Sequence, residues 1–236
     1  MDAATPSLWD AVIAFDYWPE IGTATLDTLI MTGVSLLFTI LLGLPLGVVL
    51  FLTSPGHRSP QRQVARMQAI TYGMLSFLVN VLRSAPFLIL LILLIPVTRW
   101  IMGTTLGVEG SIPPLVIGIA PFFARLVENL LREVDRGVLE ACRAMGATTR
   151  QTVFWALLPE TLPGLLGAVT VTAIALIGYS AMSGVIGGGG LGDLAVRYGY
   201  QRFNTAVMLV TVAVLVVLVQ LVQLIGDRLV RRLNHR

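Results

Sequence analysis

The sequence predicts an all-α integral membrane protein with about five transmembrane helices. Of the 236 residues, 56% are hydrophobic and only 12% are charged. The mean hydropathy is +0.83, and these values lie outside the range of soluble globular domains. Apolar runs recur that reach the ~20 residues needed to cross the ~30 Å hydrocarbon core of a bilayer. Short loops that carry arginine separate these runs.

Residues 1–28 are predicted to form a segment on the outer side of the membrane. The first 25 residues contain four acidic residues and no arginine, so they lack the basic region of a cleavable signal peptide. Aromatic residues among the acids, including Trp9 and Trp18, suit a segment at the membrane interface. A partly ordered tail is the alternative, and both interpretations stay open.

The first two spans are predicted at residues 29–52 and 69–97. The first contains a proline flanked by glycines four residues apart, which favours a kink and a close-packing helix face. The second is long enough that it must tilt or bend near Pro86. Its one charge is Arg83. Snorkelling to the cytoplasmic surface is the preferred interpretation of this arginine, and pairing with Glu128 across the bundle is the alternative.

The remaining three spans are predicted at residues 112–131, 165–181 and 206–225. The third span carries Arg125 and Glu128 in its last third. Because these residues are spaced i,i+3, they can form an ion pair along one helix face. The fifth span is uncharged throughout.

The distribution of arginine predicts the orientation. Three arginines lie in the first loop, four in residues 132–164 and four in a basic tail, residues 228–236. The opposite side has Arg99, Arg197 and Arg202. By the positive-inside rule, residues 132–164 and the C-terminus face the cytoplasm, and the N-terminus faces out.

Residues 132–164 form a polar, amphipathic loop between the third and fourth spans. Gly146 interrupts its helical pattern, Thr148 and Gln151 match a capping box, and prolines follow at positions 159 and 163. These signals predict two short helices at an angle, each with one apolar and one charged face. The predicted apolar positions are Val134, Val138, Cys142 and Met145 before the break, and Val153, Phe154, Leu157 and Leu158 after it. The loop is predicted to be a docking surface.

This loop resembles the "EAA" loop of bacterial ABC importer permeases. The matching positions are Glu140-Ala141, Arg143, Gly146-Ala147, Gln151 and Leu158-Pro159. Residues 26–227 also resemble the methionine-uptake permeases in particular. The stretches that carry this wider resemblance are residues 83–87, 121–129, 178–182, 189–192 and 198–200.

The resemblance implies a type I permease of an ABC importer with a cytoplasmic coupling helix. The residues expected to couple to the ATPase are Glu140, Ala141, Arg143, Ala144, Met145, Gly146, Ala147 and Gln151. The chain is then expected to form a homodimer in the lipid of a bacterial inner membrane and to meet two ABC ATPase subunits, which bind ATP and Mg. A periplasmic or lipid-anchored methionine-binding protein delivers L- and D-methionine. The alternative substrate is another small amino acid or related solute.

The same resemblance places a translocation path at the outer end of the fourth span. Tyr179, Ser180 and Met182 are expected to line it and to face their own copies across a twofold axis. Met182 suits two roles there. Its polarizable thioether can contact a thioether substrate, or it can close the path as a hydrophobic gate.

Other classes of function lack their signals in this sequence. Gly187, Gly189 and Gly192 match G-x-G-x-x-G, but no β-α-β pattern surrounds them. A flexible or tightly turned re-entrant loop, whose glycines let backbone approach backbone, is expected instead of a dinucleotide site. The chain has no lysine and therefore no P-loop. No catalytic, cofactor or metal-ligating group is predicted, and the scattered arginines do not indicate nucleic-acid binding. A secondary transporter would show ionisable groups at the membrane midplane, where the spans offer little besides Arg83.

Overall fold

The computed structural model describes residues 16–55 and 62–233, and all regular structure within them is helical. The described helices are α1 (Trp18–Thr53), α2 (Arg62–Ser84), α3 (Phe87–Leu93), α4 (Ile95–Met102), α5 (Gly107–Arg132), α6 (Arg136–Ala144), α7 (Thr149–Gln151), α8 (Leu158–Ser183), α9 (Gly190–Leu194) and α10 (Thr205–Leu233). Four helices are long and apolar enough to cross a membrane, and a fifth crossing results if α2 and α3 count as one bent span.

Helix α1 begins well before the predicted first span. Pro19 lies in its first turn, where a missing N–H costs nothing, and Glu20 also lies there. Ile21 and Ala24 are buried against Leu191 and other apolar side chains beyond α8. Residues 18–28 are therefore the packed first turns of α1, which corrects the prediction of a separate interfacial segment for that part. The remainder of that prediction, residues 1–15, lies outside the described residues.

The second predicted span is bent and not continuous. Helices α2 and α3 meet at an angle of 106°, and Pro86 caps α3. Proline has no N–H to donate and disfavours helical geometry at the residue before it, so α2 ends at Ser84. The bend predicted near Pro86 is therefore confirmed, and it is sharp enough to divide the span into two helices.

Helix α5 packs most closely against α1, and the two run in the same direction. A Cβ atom on Gly43 would lie 2.8 Å from the Phe123 ring, and one on Gly47 would lie 2.6 Å from the Ala124 carbonyl oxygen. These glycines allow the close approach, which confirms their predicted packing role. Pro45 lies between them inside the continuous helix.

Helices α2 and α8 run antiparallel to α5. Arg132 near the end of α5 contacts Tyr72, whereas Arg125 contacts Asn80, two turns further along α2. A Cβ atom on Gly164, early in α8, would touch Leu130. The ends of α1 and α5 and the start of α8 therefore share one end of the bundle, with α6. Helix α10 runs back to that end and includes residues 228–233, which were predicted as a tail.

A glycine-rich turn joins the helices at the opposite end. Gly187 and Gly189 have φ of +82° and +77°, values that only glycine adopts without strain. The Leu191 N–H donates to Thr28 Oγ1 of α1 at 2.9 Å, and Ser111 Oγ of α5 donates to the Gly188 carbonyl at 3.1 Å. The predicted tight turn with close backbone approach is confirmed.

Candidate coupling surface and translocation path

Helix α6 presents one buried face and one exposed face. Asp135 caps it by accepting from the Gly137 N–H. Leu139 belongs to a buried cluster around Phe51 of α1, and Cys142 is buried as well. The side chains on the other face are exposed, namely Glu140, Ala141, Arg143 and Ala144. Four of the predicted coupling residues thus lie on one accessible helix face.

The turn after α6 forms as its local sequence predicts. Gly146 has φ of +73° and nothing within 4 Å of a built Cβ atom, so it ends α6 in the left-handed conformation. The Ala147 N–H donates to the Cys142 carbonyl at 3.0 Å. The Thr148 N–H donates to Gln151 Oε1 at 2.8 Å, and the Gln151 N–H donates to Thr148 Oγ1 at 3.3 Å. Both halves of the predicted capping box are present.

The helix that begins at Thr149 is not short. It passes through a π-helical stretch, Thr152–Leu157, and continues into α8, so that Thr149–Ile186 forms one span of 38 residues. The wider π turn accommodates Pro159. In a regular α-helix the proline ring would clash with the carbonyl of the residue four positions earlier. The expectation of two short helices is therefore wrong for the second one, which is the start of a membrane-spanning helix.

Large apolar side chains are exposed around this turn. Trp155 is 83% exposed, and Met145 and Phe154 are exposed as well. Of the predicted apolar positions, Met145 and Phe154 are thus exposed, whereas Val153 and Leu157 are buried. An apolar patch beside the charged face of α6 suits a protein docking surface.

An ion-pair network around a buried carboxylate of α5 reaches α2 through its arginines. Glu128 is only 1% exposed, and its Oε2 lies 2.6 Å from Arg125 Nη1, which confirms the predicted pair. Arg132 forms a second ion pair with the same carboxylate. Arg125 also donates to Ser76 Oγ at 2.9 Å and Asn80 Oδ1 at 3.0 Å. Charge and hydrogen-bonding groups are thus matched across the helix interface.

Arg83 lies in the last turn of α2 and is exposed. The helix from Gln68 to Arg83 is about 22 Å long at 1.5 Å per residue. Arg83 therefore lies far along the axis from the start of α2, and its snorkelling to the membrane surface stays a prediction. Glu128 forms its ion pairs with Arg125 and Arg132. The Arg83 guanidinium instead lies 6.0 Å from the centre of the Phe122 ring.

The three predicted path residues point in different directions. Tyr179 stacks on Phe87 of α3, with ring centres 4.3 Å apart and an interplanar angle of 11°. Ser180 is buried and donates to the Ile177 carbonyl at 2.8 Å. Met182 is 42% exposed. Tyr179 thus faces the bend between α2 and α3, whereas Met182 faces the surface of the chain.

A comparison with known protein families matches residues 43–236 to the family described as "Binding-protein-dependent transport system inner membrane component". The chain belongs to this family. The family description, an inner membrane component of a transport system, agrees with the long apolar helices and the exposed amphipathic surface of this chain.

Similar members of the family cover almost the whole chain. The "Probable D-methionine transport system permease protein MetI" of Vibrio cholerae is 47% identical over 91% of this chain and 92% of its own length. The "Methionine import system permease protein MetP" of Bacillus subtilis is 46% identical over 92% of this chain and 95% of its own length.

Solved structures give the same fold. A chain of the MetNI methionine ABC transporter, in inward-facing conformations, has a TM-score of 0.88 at 46% identity and covers 94% of this chain and 100% of its own. An amino acid ABC transporter structure has a TM-score of 0.74 at 20% identity, which supports the fold alone. The predicted type I permease fold is therefore confirmed for this family member.

Some contacts of the ion-pair network around Glu128 were not predicted, although the spacing of residues in the sequence indicates them. Tyr72, Ser76 and Asn80 recur every four residues along α2, so they share one face. Arg132 lies four residues after Glu128. The helical spacing thus indicates both the second arginine on the carboxylate and the polar groups of α2 that accept from the two arginines. Among the described residues, no group of three or more potential ligands could hold a metal ion.

Proposed function

We propose that this chain is the membrane-spanning permease subunit of an ATP-driven importer of methionine. The observation that carries the proposal is the close similarity, over nearly the full chain, to proteins named as methionine permeases. The exposed surface of α6 and the turn after it supports the same function. A chain of this kind needs an external source of energy, because its sequence contains no P-loop.

In this proposal the ATPase subunit docks on the exposed surface that contains Glu140, Arg143, Met145 and Trp155. The exposed apolar patch supports docking, since such patches mark protein interaction sites on soluble surfaces. Gly146 and the capping box fix the angle at which α6 meets the long helix. Ala141, Ala144, Ala147 and Gln151 complete the coupling residues. ATP and Mg are bound by the partner, and this chain hydrolyses nothing.

Two copies of the chain and two ATPase subunits form the proposed complex, because five helices enclose little space on their own. A twofold axis gives each copy an equivalent contact. The α6 end of the bundle, with its many arginines, lies in the cytoplasm of a bacterial cell with the C-terminus, and the start of α1 lies outside. A periplasmic or lipid-anchored binding protein then meets the end that holds the glycine-rich turn.

Reconstitution tests the proposal. The purified chain, its ATPase and its binding protein are placed in lipid vesicles, and uptake of labelled L- and D-methionine is measured with and without ATP. We expect accumulation of methionine that requires ATP and the binding protein. Unlabelled amino acids are then added as competitors. Uptake of another small amino acid without uptake of methionine would overturn the substrate assignment while leaving the permease assignment intact.

A further inference from the structure

The bend between α2 and α3 opens a cavity against α5 and α8. Its volume is about 110 Å³, which is large enough to admit water. The residues that line it are Leu82, Arg83, Ala85, Phe87, Leu90, Gly118, Phe122 and Tyr179. Gly118 and Phe122 lie in the middle third of α5. The cavity is therefore near the centre of the membrane if α5 crosses it.

Arg83 is the charged group of this cavity. Within residues 16–55 and 62–233, the recorded ion pairs involve Arg125, Arg132 and Arg197, and none involves Arg83. Its recorded contact is the face of the Phe122 ring. A cation at membrane depth is costly, and arginines found there usually face a water-filled cavity or a substrate path. An anionic ligand would supply the partner that Arg83 lacks in the described chain.

Aromatic rings form the rest of the wall. Phe87 and Tyr179 stack face to face, and the Phe122 ring lies under the guanidinium. A Cβ atom on Gly118 would lie 3.1 Å from Phe87 Cδ2, so a glycine there lets the Phe87 ring reach its place in the wall. Rings of this kind attract apolar side chains and make favourable contacts with a thioether sulfur.

We propose that this cavity is a substrate site within the membrane for an apolar α-amino acid. Arg83 binds the α-carboxylate through charge-assisted hydrogen bonds, and Phe87, Phe122 and Tyr179 contact the side chain. The cavity holds the carboxylate end, and the remainder of the ligand extends through its mouth. The site rests on the proposed function, because an importer must pass its substrate through the membrane.

The test uses the complete transporter in lipid vesicles, with Arg83→Gln, Arg83→Lys and the control Arg99→Gln. Arg99 is an exposed arginine in the neighbouring α4. Methionine taken up per ATP hydrolysed is measured for each. We expect this ratio to fall roughly tenfold or more for Arg83→Gln, as when a charged hydrogen bond is removed. Arg83→Lys should lie between the two, because lysine keeps the charge but not the bidentate geometry. Arg99→Gln should match the wild type.

A labelling experiment locates the ligand directly. The wild-type transporter is irradiated with a diazirine analogue of an apolar amino acid, and labelled residues are identified by mass spectrometry. We expect label on Phe87, Phe122 or Tyr179, loss of that label in Arg83→Gln, and none from the amide of the same analogue. Equal label in Arg83→Gln, or label only elsewhere in the chain, would overturn the site. Absence of methionine uptake by the wild type would instead overturn the proposed substrate.

Discussion

Arg125 Nη1 and Glu128 Oε2 lie 2.6 Å apart on the face of α5 that packs against α2, and the carboxylate is only 1% exposed. A buried carboxylate is stable only when its oxygens are matched by charged donors. Here Arg125 on one oxygen and Arg132 on the other provide them. Arg125 also reaches Ser76 and Asn80 of α2, so one ion pair fixes the position of two helices.

Arg125→Ala should therefore destabilise the protein more than Arg99→Ala. We expect a loss of about 1–3 kcal/mol for Arg125→Ala, because one carboxylate oxygen and two polar groups of α2 lose their donor while Arg132 remains. Arg99 has an exposed side chain in α4, and its replacement should change stability by no more than about 0.5 kcal/mol. Melting temperatures in detergent give the comparison. Equal values for the two variants would contradict this role of the ion pair.

Replacement by alanine should lower the stability of the protein at Gly47 of α1 but not at Gly33 of the same helix. A Cβ atom on Gly47 would lie 2.6 Å from both the Ala124 carbonyl oxygen and Val127 Cβ, whereas Gly33 has nothing within 4 Å. Gly47→Ala should cost about 1–3 kcal/mol by forcing α1 and α5 apart. Gly33→Ala should be neutral or stabilising by up to ~1 kcal/mol, since alanine favours helix. Thermal unfolding of both variants gives the sign of each change in stability. A Gly47→Ala variant as stable as the wild type would refute the close packing of α1 and α5.

The exposed tryptophans at the two ends of the bundle allow a matched test of ATPase docking. Trp155 lies beside the coupling surface and is 83% exposed, while Trp100 of α4 is 86% exposed. Trp155→Ser should weaken association with the ATPase by ~2 kcal/mol or more, the cost of losing an aromatic anchor from an interface. Trp100→Ser should leave association unchanged. Copurification of the two subunits measures this, and an undiminished complex with Trp155→Ser would place the docking surface elsewhere.

Neighbouring positions at the end of α8 test the proposed twofold contact. Met182 is 42% exposed and Ser180 is 2% exposed. In a Cys142→Ser background, Met182→Cys should crosslink two copies with a short bifunctional reagent, and to a different extent with and without ATP. Ser180→Cys should not crosslink, because its side chain is buried within one copy. A protein shown to be dimeric that gives no Met182→Cys crosslink in either state would exclude this segment from the twofold contact.

Local signals in the sequence were sufficient to predict those features of the structure that depend only on neighbouring residues. Gly146 and the Thr148–Gln151 capping box are examples, because a left-handed glycine and a helix cap involve only a few consecutive residues. The Arg125–Glu128 pair follows from helical spacing in the same way. The described helices also run close to the predicted spans at α5 and α10.

Other features depend on contacts between distant segments, which the sequence does not display. The bend near Pro86 is large because α3 turns to pack Phe87 against Tyr179 of α8. Helix α1 extends to Trp18 because Ile21 and Ala24 find apolar partners beyond α8. Met145 follows the apolar spacing of α6 but projects past the end of the core, so its side chain is exposed. In each case the local structure depends on which part of another helix packs against the segment.

The helix from Thr149 to Ile186 connects the two ends of the bundle without an intervening loop, through one π-helical stretch near its start. From Thr152 to Met182 its axis is about 45 Å long at 1.5 Å per residue. With one end held, a tilt of about 5° displaces the other end by about 4 Å over that length. If the proposed ATPase docks beside Trp155, a tilt of this helix would carry its movement to the surroundings of Met182 without passing through any hinge loop. This geometry favours transmission of movement by tilting of one helix and not by a series of successive side-chain contacts.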